Sequence, residues 1–225
     1  MPNRATRPDR SPLLWAAFFL LVGVGITGLL LADAFATFDQ NVYAALAAVQ
    51  SDGLTSFLAG LTNLGGAIGL IPIGVGVILL LFWRNLRLEA VFLLVALLGA
   101  EIFNELAKAV FDRSRPVGIN LIALPDSTAF PSGHAMVSSA FYVMMAYQIK
   151  TRLRGSYSRW IMACLYLLVV LISISRVYLG VHYASDVLAG AVFGLSWYFV
   201  IRYFYEQAVK RWKTPNVQLA SIKLR

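Results

Sequence analysis

The chain has two histidines, and each stands in a short polar segment at the edge of an apolar run. In Pro131-Ser132-Gly133-His134, Ser132 sits where an N-cap belongs and Gly133 lets a ligand approach the backbone N–H groups. The segment reads as a helix start that attracts an anion, with His134 standing over it. In the second segment, Ser175-Arg176 is followed, after Val177-Tyr178-Leu179-Gly180-Val181, by His182 and then Asp186. If His182 begins a helix, Asp186 lies one turn on along the same face. It can then take an imidazole N–H, fix the tautomer and stabilise the positive charge that develops on the ring. A third segment joins Lys108 to Arg115-Pro116. Seven residues are about two helical turns, so both cations can share one face, with Pro116 ending the helix.

Each segment alone has a plain structural reading: snorkelling bases, an ordinary Pro/Ser/Gly helix start, a buried His and Asp pair locking two helices. Taken together they supply two histidines, one carboxylate, three cations and a helix N-terminus. Charge-assisted hydrogen bonds contribute about 1.5 to 3 kcal/mol each, so three cations can hold a phosphate dianion. Two histidines and an aspartate are also the ligand set of a non-haem iron or zinc site. Three neighbouring cations would repel a dication, however, and the residues just named include no second carboxylate. No metal and no cofactor are expected.

The elements that must position these residues follow from composition. Of 225 residues, 59% are hydrophobic and 13% charged, against about 25% charged in a soluble domain. Disordered, collagen-like and soluble nucleic-acid-binding classes are excluded, and the net charge of +8 is a matter of membrane topology, because the bases cluster between apolar runs. Six runs approach the length that crosses a bilayer: Leu13 to Ala32, Gly65 to Trp83, Leu88 to Val110, Ser132 to Ile149, Trp160 to Ile174 and His182 to Tyr205. The predicted fold is all-α, a six-transmembrane-helix bundle. All but four of the 19 Lys and Arg residues fall on the side of the two termini, which the positive-inside rule makes cytoplasmic. The four exceptions, Lys108, Arg113, Arg115 and Arg176, belong to the outer side with the three segments. Asp33 to Gly60, free of Lys and Arg, predicts short interfacial helices on that side. The expected organisation is a disordered cytoplasmic tail over residues 1–12, one six-span domain over 13–206 and a basic cytoplasmic tail over 207–225. The first span is expected to be a retained anchor, and Cys164, the lone cysteine, a packing residue.

In order and internal spacing the three segments resemble the signature motifs of the type 2 phosphatidic acid phosphatase superfamily. The match rests on Lys108, Arg115, Pro116, Pro131, Ser132, Gly133, His134, Ser175, Arg176, His182 and Asp186. The resemblance implies a six-helix, metal-independent membrane phosphatase of the cell (inner) membrane with its site on the outer, periplasmic side. In such enzymes the histidine matching His182 attacks phosphorus, the aspartate matching Asp186 orients it, and the histidine matching His134 protonates the leaving oxygen. Residues matching Lys108, Arg115, Ser132, Gly133 and Arg176 hold the phosphate oxygens. In-line attack needs a nucleophile and an acid on opposite sides of phosphorus, and His182, with its carboxylate partner, suits the first task.

Glu105 is expected to support Lys108 or line the lipid headgroup's access, with plain charge compensation as the simpler reading. Tyr178 and Tyr183 read as interface aromatics, and Asp112 and Arg113 receive no role. The expected partners are a membrane lipid phosphate and the bilayer, with no nucleic acid and no obligate protein partner. Phosphatidylglycerol phosphate or phosphatidic acid is the favoured substrate, and undecaprenyl pyrophosphate the alternative. A vanadium haloperoxidase would be soluble, and a non-catalytic lipid-binding or transport protein of this fold would be expected to have lost His134 or His182.

Overall fold

Apolar runs that must satisfy their own backbone groups in lipid become helices, and each of the six does so. The computed structural model describes residues 9–153 and 155–213. In chain order the helices are α1 (Ser11–Leu31), α2 (Ala36–Ala47), α3 (Asp52–Thr62), a single 3-10 turn (Asn63–Gly65), α4 (Ala67–Trp83), α5 (Arg87–Val110), α6 (Gly133–Arg152), α7 (Ser156–Tyr178) and α8 (Ala184–Lys213). Among the described residues, length and apolarity mark α1, α5, α7 and α8 as able to cross a membrane. The segment of α3 and its 3-10 turn, bent by 48° against α4, adds a fifth span if the pair counts as one.

The departure from six qualifying spans is instructive. Helix α6 is not among the qualifying helices, and it carries Ser138, Ser139 and Gln148, all buried. It tolerates them because it is the central helix, packed against α5, α7 and α8. Helix α5 qualifies with a stripe of Ala90, Leu93, Ala96, Ala100 and Asn104, all buried at spacings of three and four. Small residues there let the two backbones approach closely. Helix α1 lies along α8, where Ser196 Oγ donates to Ala16 O at 2.9 Å. The outward faces of α1, α4 and α7 present Leu, Ile, Val and aromatic side chains.

Four local expectations need correction. Helix α5 ends at Val110, because Phe111 is extended and turns inward to meet Phe130 edge-on at 5.3 Å. Pro116 therefore does not end that helix, and Lys108 and Arg115 do not share a helical face. Helix α8 starts at Ala184, so His182 lies in the turn before it. Cys164 is exposed on α7 rather than packed. Tyr178 is buried: its hydroxyl accepts from Ser51 N at 3.1 Å, and its carbonyl accepts from Gln50 Nε2 at 3.2 Å. It pins the α2–α3 connection across one end of the bundle instead of facing an interface. Of the two expected tails, residues 1–8 and 214–225 lie outside the described residues, and α8 runs through Lys213.

The turn between α7 and α8 requires glycine. Gly180 has φ 69°, and a Cβ there would come within 2.2 Å of Ile119 O. The turn is tight enough for His182 N to donate to Arg176 O at 3.3 Å, which brings the two together at the same end as the C-terminus of α5 and the N-terminus of α6.

Candidate active site

These helix ends surround a cavity of about 330 Å³, into whose wall Lys108, Arg115, Gly133, His134, Arg176 and His182 contribute. Three sequence segments separated by up to 74 positions thus meet in one cup, as their chemistry suggested. Ser132 and Asp186 are fully buried and stand behind the wall, outside the cavity lining.

Arg115 reaches the cup from the loop between α5 and α6. Its Nε donates to Ser127 O at 2.7 Å, its Nη2 to Ser127 Oγ at 3.1 Å and Thr128 O at 3.2 Å, and its Nη1 to Val181 O at 2.8 Å. Nη1 also lies 2.9 Å from His182 Nε2. An arginine only donates, so Nε2 is the acceptor and the imidazole proton sits on Nδ1. That nitrogen is 3.6 Å from Asp186 Oδ2, an ion-pair separation rather than a formed hydrogen bond. Burial in the first place drives the His182 pKa down to about 4, against the opposing pull of Asp186 and with help from Arg115 and Arg176. His182 is therefore a neutral imidazole at pH 7, with a lone pair on Nε2 at the cavity.

Arg176 is almost fully buried. Its Nη1 donates to Thr62 Oγ1 at 3.1 Å, while Nε has no partner. Lys108 Nζ donates to Glu105 Oε1 at 3.1 Å and to Ser127 Oγ at 3.4 Å. Glu105 is well exposed and is absent from the cavity wall, whereas Glu101, one turn earlier, contributes to it. Ser132 occupies the N-cap of α6 but its hydroxyl caps nothing and is unpartnered. Gly133 is small for a steric reason besides ligand approach, since a Cβ there would fall 2.8 Å from Asn104 Oδ1.

Three residues that carried no sequence assignment form a cluster behind His182. Asp39 on α2 accepts from Ser185 N at 2.8 Å and Ser185 Oγ at 2.7 Å. Arg113 donates to Asp39 Oδ2 at 3.0 Å, to Ser185 Oγ at 2.8 Å and to Asp186 Oδ1 in a short contact. Its guanidinium stacks over the Tyr183 ring, 4.2 Å from the centroid, so Tyr183 has a local partner of its own. The visible signals were slight: an Asp in a stretch free of bases, and a cation two positions before Arg115.

A cup of three cations and a helix N-terminus, with a neutral imidazole lone pair on one wall, suits a tetrahedral oxyanion. Among the described residues no three His, Cys, Asp or Glu side chains gather to hold a metal ion.

A family model described as the PAP2 superfamily matches residues 89–210, which include every cation of the cup, both histidines and Asp186. The chain belongs to the PAP2 superfamily. With its apolar helices and its phosphatase relatives, it is a multi-pass membrane phosphatase. This PAP2 chain is 28% identical to phosphatidylglycerophosphatase B of Bacillus subtilis (strain 168), over 90% of its own length and 98% of that protein. The crystal structure of a transmembrane PAP2 type phosphatidylglycerolphosphate phosphatase from Bacillus subtilis superposes with a TM-score of 0.76 at 28% identity, covering 88% of this chain and 97% of that one. An undecaprenyl-diphosphatase of Sulfolobus acidocaldarius is 33% identical over 53% of this PAP2 chain and 56% of its own.

Proposed function

We propose that the protein removes the terminal phosphate from phosphatidylglycerol phosphate or phosphatidic acid at the outer face of the cell membrane, through a phosphohistidine on His182. One observation carries the lipid reading. From the cationic cup the cavity continues between α4 and α5 along Leu70, Ile71, Leu97 and Leu98, and Ile71 and Leu98 are more than half exposed. A headgroup in the cup thus leaves its acyl chains against apolar side chains facing the bilayer. The likeness to phosphatidylglycerophosphatase B supports the choice of substrate.

In this mechanism the phosphate draws the Arg115 guanidinium from His182 Nε2 to its own oxygens, freeing the lone pair. Nε2 attacks phosphorus as the P–O ester bond breaks, and His134 protonates the departing alkoxide. Asp186 compensates the positive charge gained by the ring. Arg115, Arg176, Lys108 and the N–H groups at the start of α6 stabilise the equatorial oxygens. A water molecule, its proton taken by His134, then attacks phosphorus and the P–N bond breaks, releasing inorganic phosphate and restoring both imidazoles.

The proposed orientation puts both termini in the cytoplasm and counts α6 as a sixth, protein-enclosed span, with α2 and α3 as short outer interfacial helices. It rests on charge: Arg84 and Arg87, Lys150, Arg152 and Arg159, and Lys210 and Arg211 belong to the helix ends opposite the cavity. Neither a metal nor a cofactor enters the reaction, and neither a nucleic acid nor a protein partner is required. A second substrate, undecaprenyl pyrophosphate, is favoured by the likeness to the Sulfolobus undecaprenyl-diphosphatase.

The test is side-by-side hydrolysis of phosphatidylglycerol phosphate, phosphatidic acid and undecaprenyl pyrophosphate in mixed micelles with excess EDTA. The proposal expects undiminished phosphate release, fastest from a phosphomonoester. Fastest turnover of the pyrophosphate would favour the second reading, and a strict need for a divalent ion would overturn the mechanism.

A further inference from the structure

Asp186 faces the nucleophile, yet one of its oxygens is bound to a cation. Arg113 alone would drain the negative potential that His182 needs, since an ion pair presents little net charge to a third group. The cluster contains a counterweight. Asp39, 4% exposed and contributed by a short helix far from the motifs in sequence, binds the other side of the same guanidinium. The charges of Asp39, Arg113 and Asp186 sum to one negative charge beside the imidazole. The geometry is also directional: Arg113 holds Oδ1, while Asp186 Oδ2 accepts from Tyr183 N at 2.9 Å and faces His182 Nδ1.

We infer that Asp39 and Arg113 are positioning residues for the nucleophile: Arg113 locks the Asp186 carboxylate with Oδ2 toward His182, and Asp39 preserves the net negative charge that stabilises the ring once Nε2 has bonded to phosphorus. The inference rests on the reading of His182 as nucleophile. Neither residue lines the cavity, so both act through Asp186 and not on substrate. Among the described residues, the other titratable or charged groups lining the cavity are Glu101 and Lys108 from α5, Arg115 from the α5–α6 loop, His134 from α6 and Arg176 from α7.

The experiment compares wild type, Asp39→Asn, Asp39→Glu and Arg113→Lys on one lipid phosphate across pH 4 to 8, with thermal unfolding of each protein in the same micelles. For wild type, kcat/KM falls as pH drops toward about 4, because protonation removes the lone pair. An unshifted histidine would lose it near 6.5. Removing the Asp39 charge makes the imidazolium less favourable, so Asp39→Asn moves this limb to lower pH, by about half a unit, and lowers kcat about 10-fold with KM unchanged. Asp39→Glu keeps the charge, so its limb stays in place and part of kcat returns. Arg113→Lys keeps the charge but loses the two-sided grip: its limb also stays while kcat falls.

A purely structural clasp between α2 and α8 predicts instead that kcat follows the folded fraction and that no limb moves, which overturns the inference. Should Asp39→Asn fail to fold, Arg113→Lys decides: a drop in kcat with a full folded fraction supports the inference, and unchanged kcat overturns it. Comparison with the substrate panel separates the two levels. A wild-type protein that releases no phosphate sinks the phosphatase reading, whereas an active wild type with immobile limbs and kcat tracking folded protein sinks only the positioning role.

Discussion

Both ends of the helix bundle bury charge, but they treat it differently. At the basic end Glu89 on α5 is 2% exposed, and its carboxylate accepts from Arg152 Nε at 2.8 Å and Tyr205 OH at 2.9 Å, while its carbonyl accepts from Gln148 Nε2 at 2.9 Å. Nearby, Glu206 accepts from Tyr147 OH at 2.7 Å and Arg202 Nε at 2.8 Å. These carboxylates have their partners and join α5, α6 and α8. At the cavity end, Arg176 Nε, His182 Nδ1, Ser132 Oγ, Asn104 Oδ1 and Thr128 Oγ1 are buried without partners, five of the six such atoms among the described residues. Leaving a buried polar group unpaired costs about 1 to 3 kcal/mol. The saturated end stabilises the bundle, whereas at the cavity end Arg176, which lines the cup, keeps an unpaired donor on Nε for a ligand.

Substitutions at the two ends sharpen that contrast. Arg176→Lys has the larger expected effect on turnover: one point charge replaces a planar fork, and loss of one charge-assisted contact lowers kcat/KM by about 10- to 100-fold, read by phosphate release, with the unfolding midpoint little changed. Glu89→Gln has the opposite signature. It weakens a contact to Arg152, whose side chain is about half exposed, so stability falls by about 1 to 2 kcal/mol while kcat per folded molecule stays within about twofold. Equal effects of the two substitutions on turnover would erase the distinction between the ends.

The catalytic candidates were legible because their information is local. Pro131-Ser132-Gly133-His134 is continuous, and His182 and Asp186 are four positions apart, so residue type and spacing sufficed. The cluster behind them was not legible, since Arg113 meets Asp39 across 74 positions and nothing in either neighbourhood foretells it. Helix boundaries were legible only where apolarity changes sharply. The apolar run ending at Val110 marks the end of α5 correctly, whereas Pro116, six residues on, plays no part in it because Phe111 is already extended and packs against Phe130. Helix α6 shows the converse: its polar side chains weaken the span signal, and only its central position makes them tolerable. Arg115 reached the cup without the shared helical face, because the loop ties it to Ser127, Thr128 and Val181.

The central claim is that His182 Nε2 takes the phosphoryl group inside this cup. Its most direct test is a rapid alkaline quench of the enzyme turning over a lipid with radiolabelled terminal phosphate, followed by mapping of the label, with His182→Ala as control. The account predicts a base-stable, acid-labile label on the peptide containing His182, absent from the variant, whose turnover falls by about three orders of magnitude or more. A label on His134, or full turnover by His182→Ala, would contradict it.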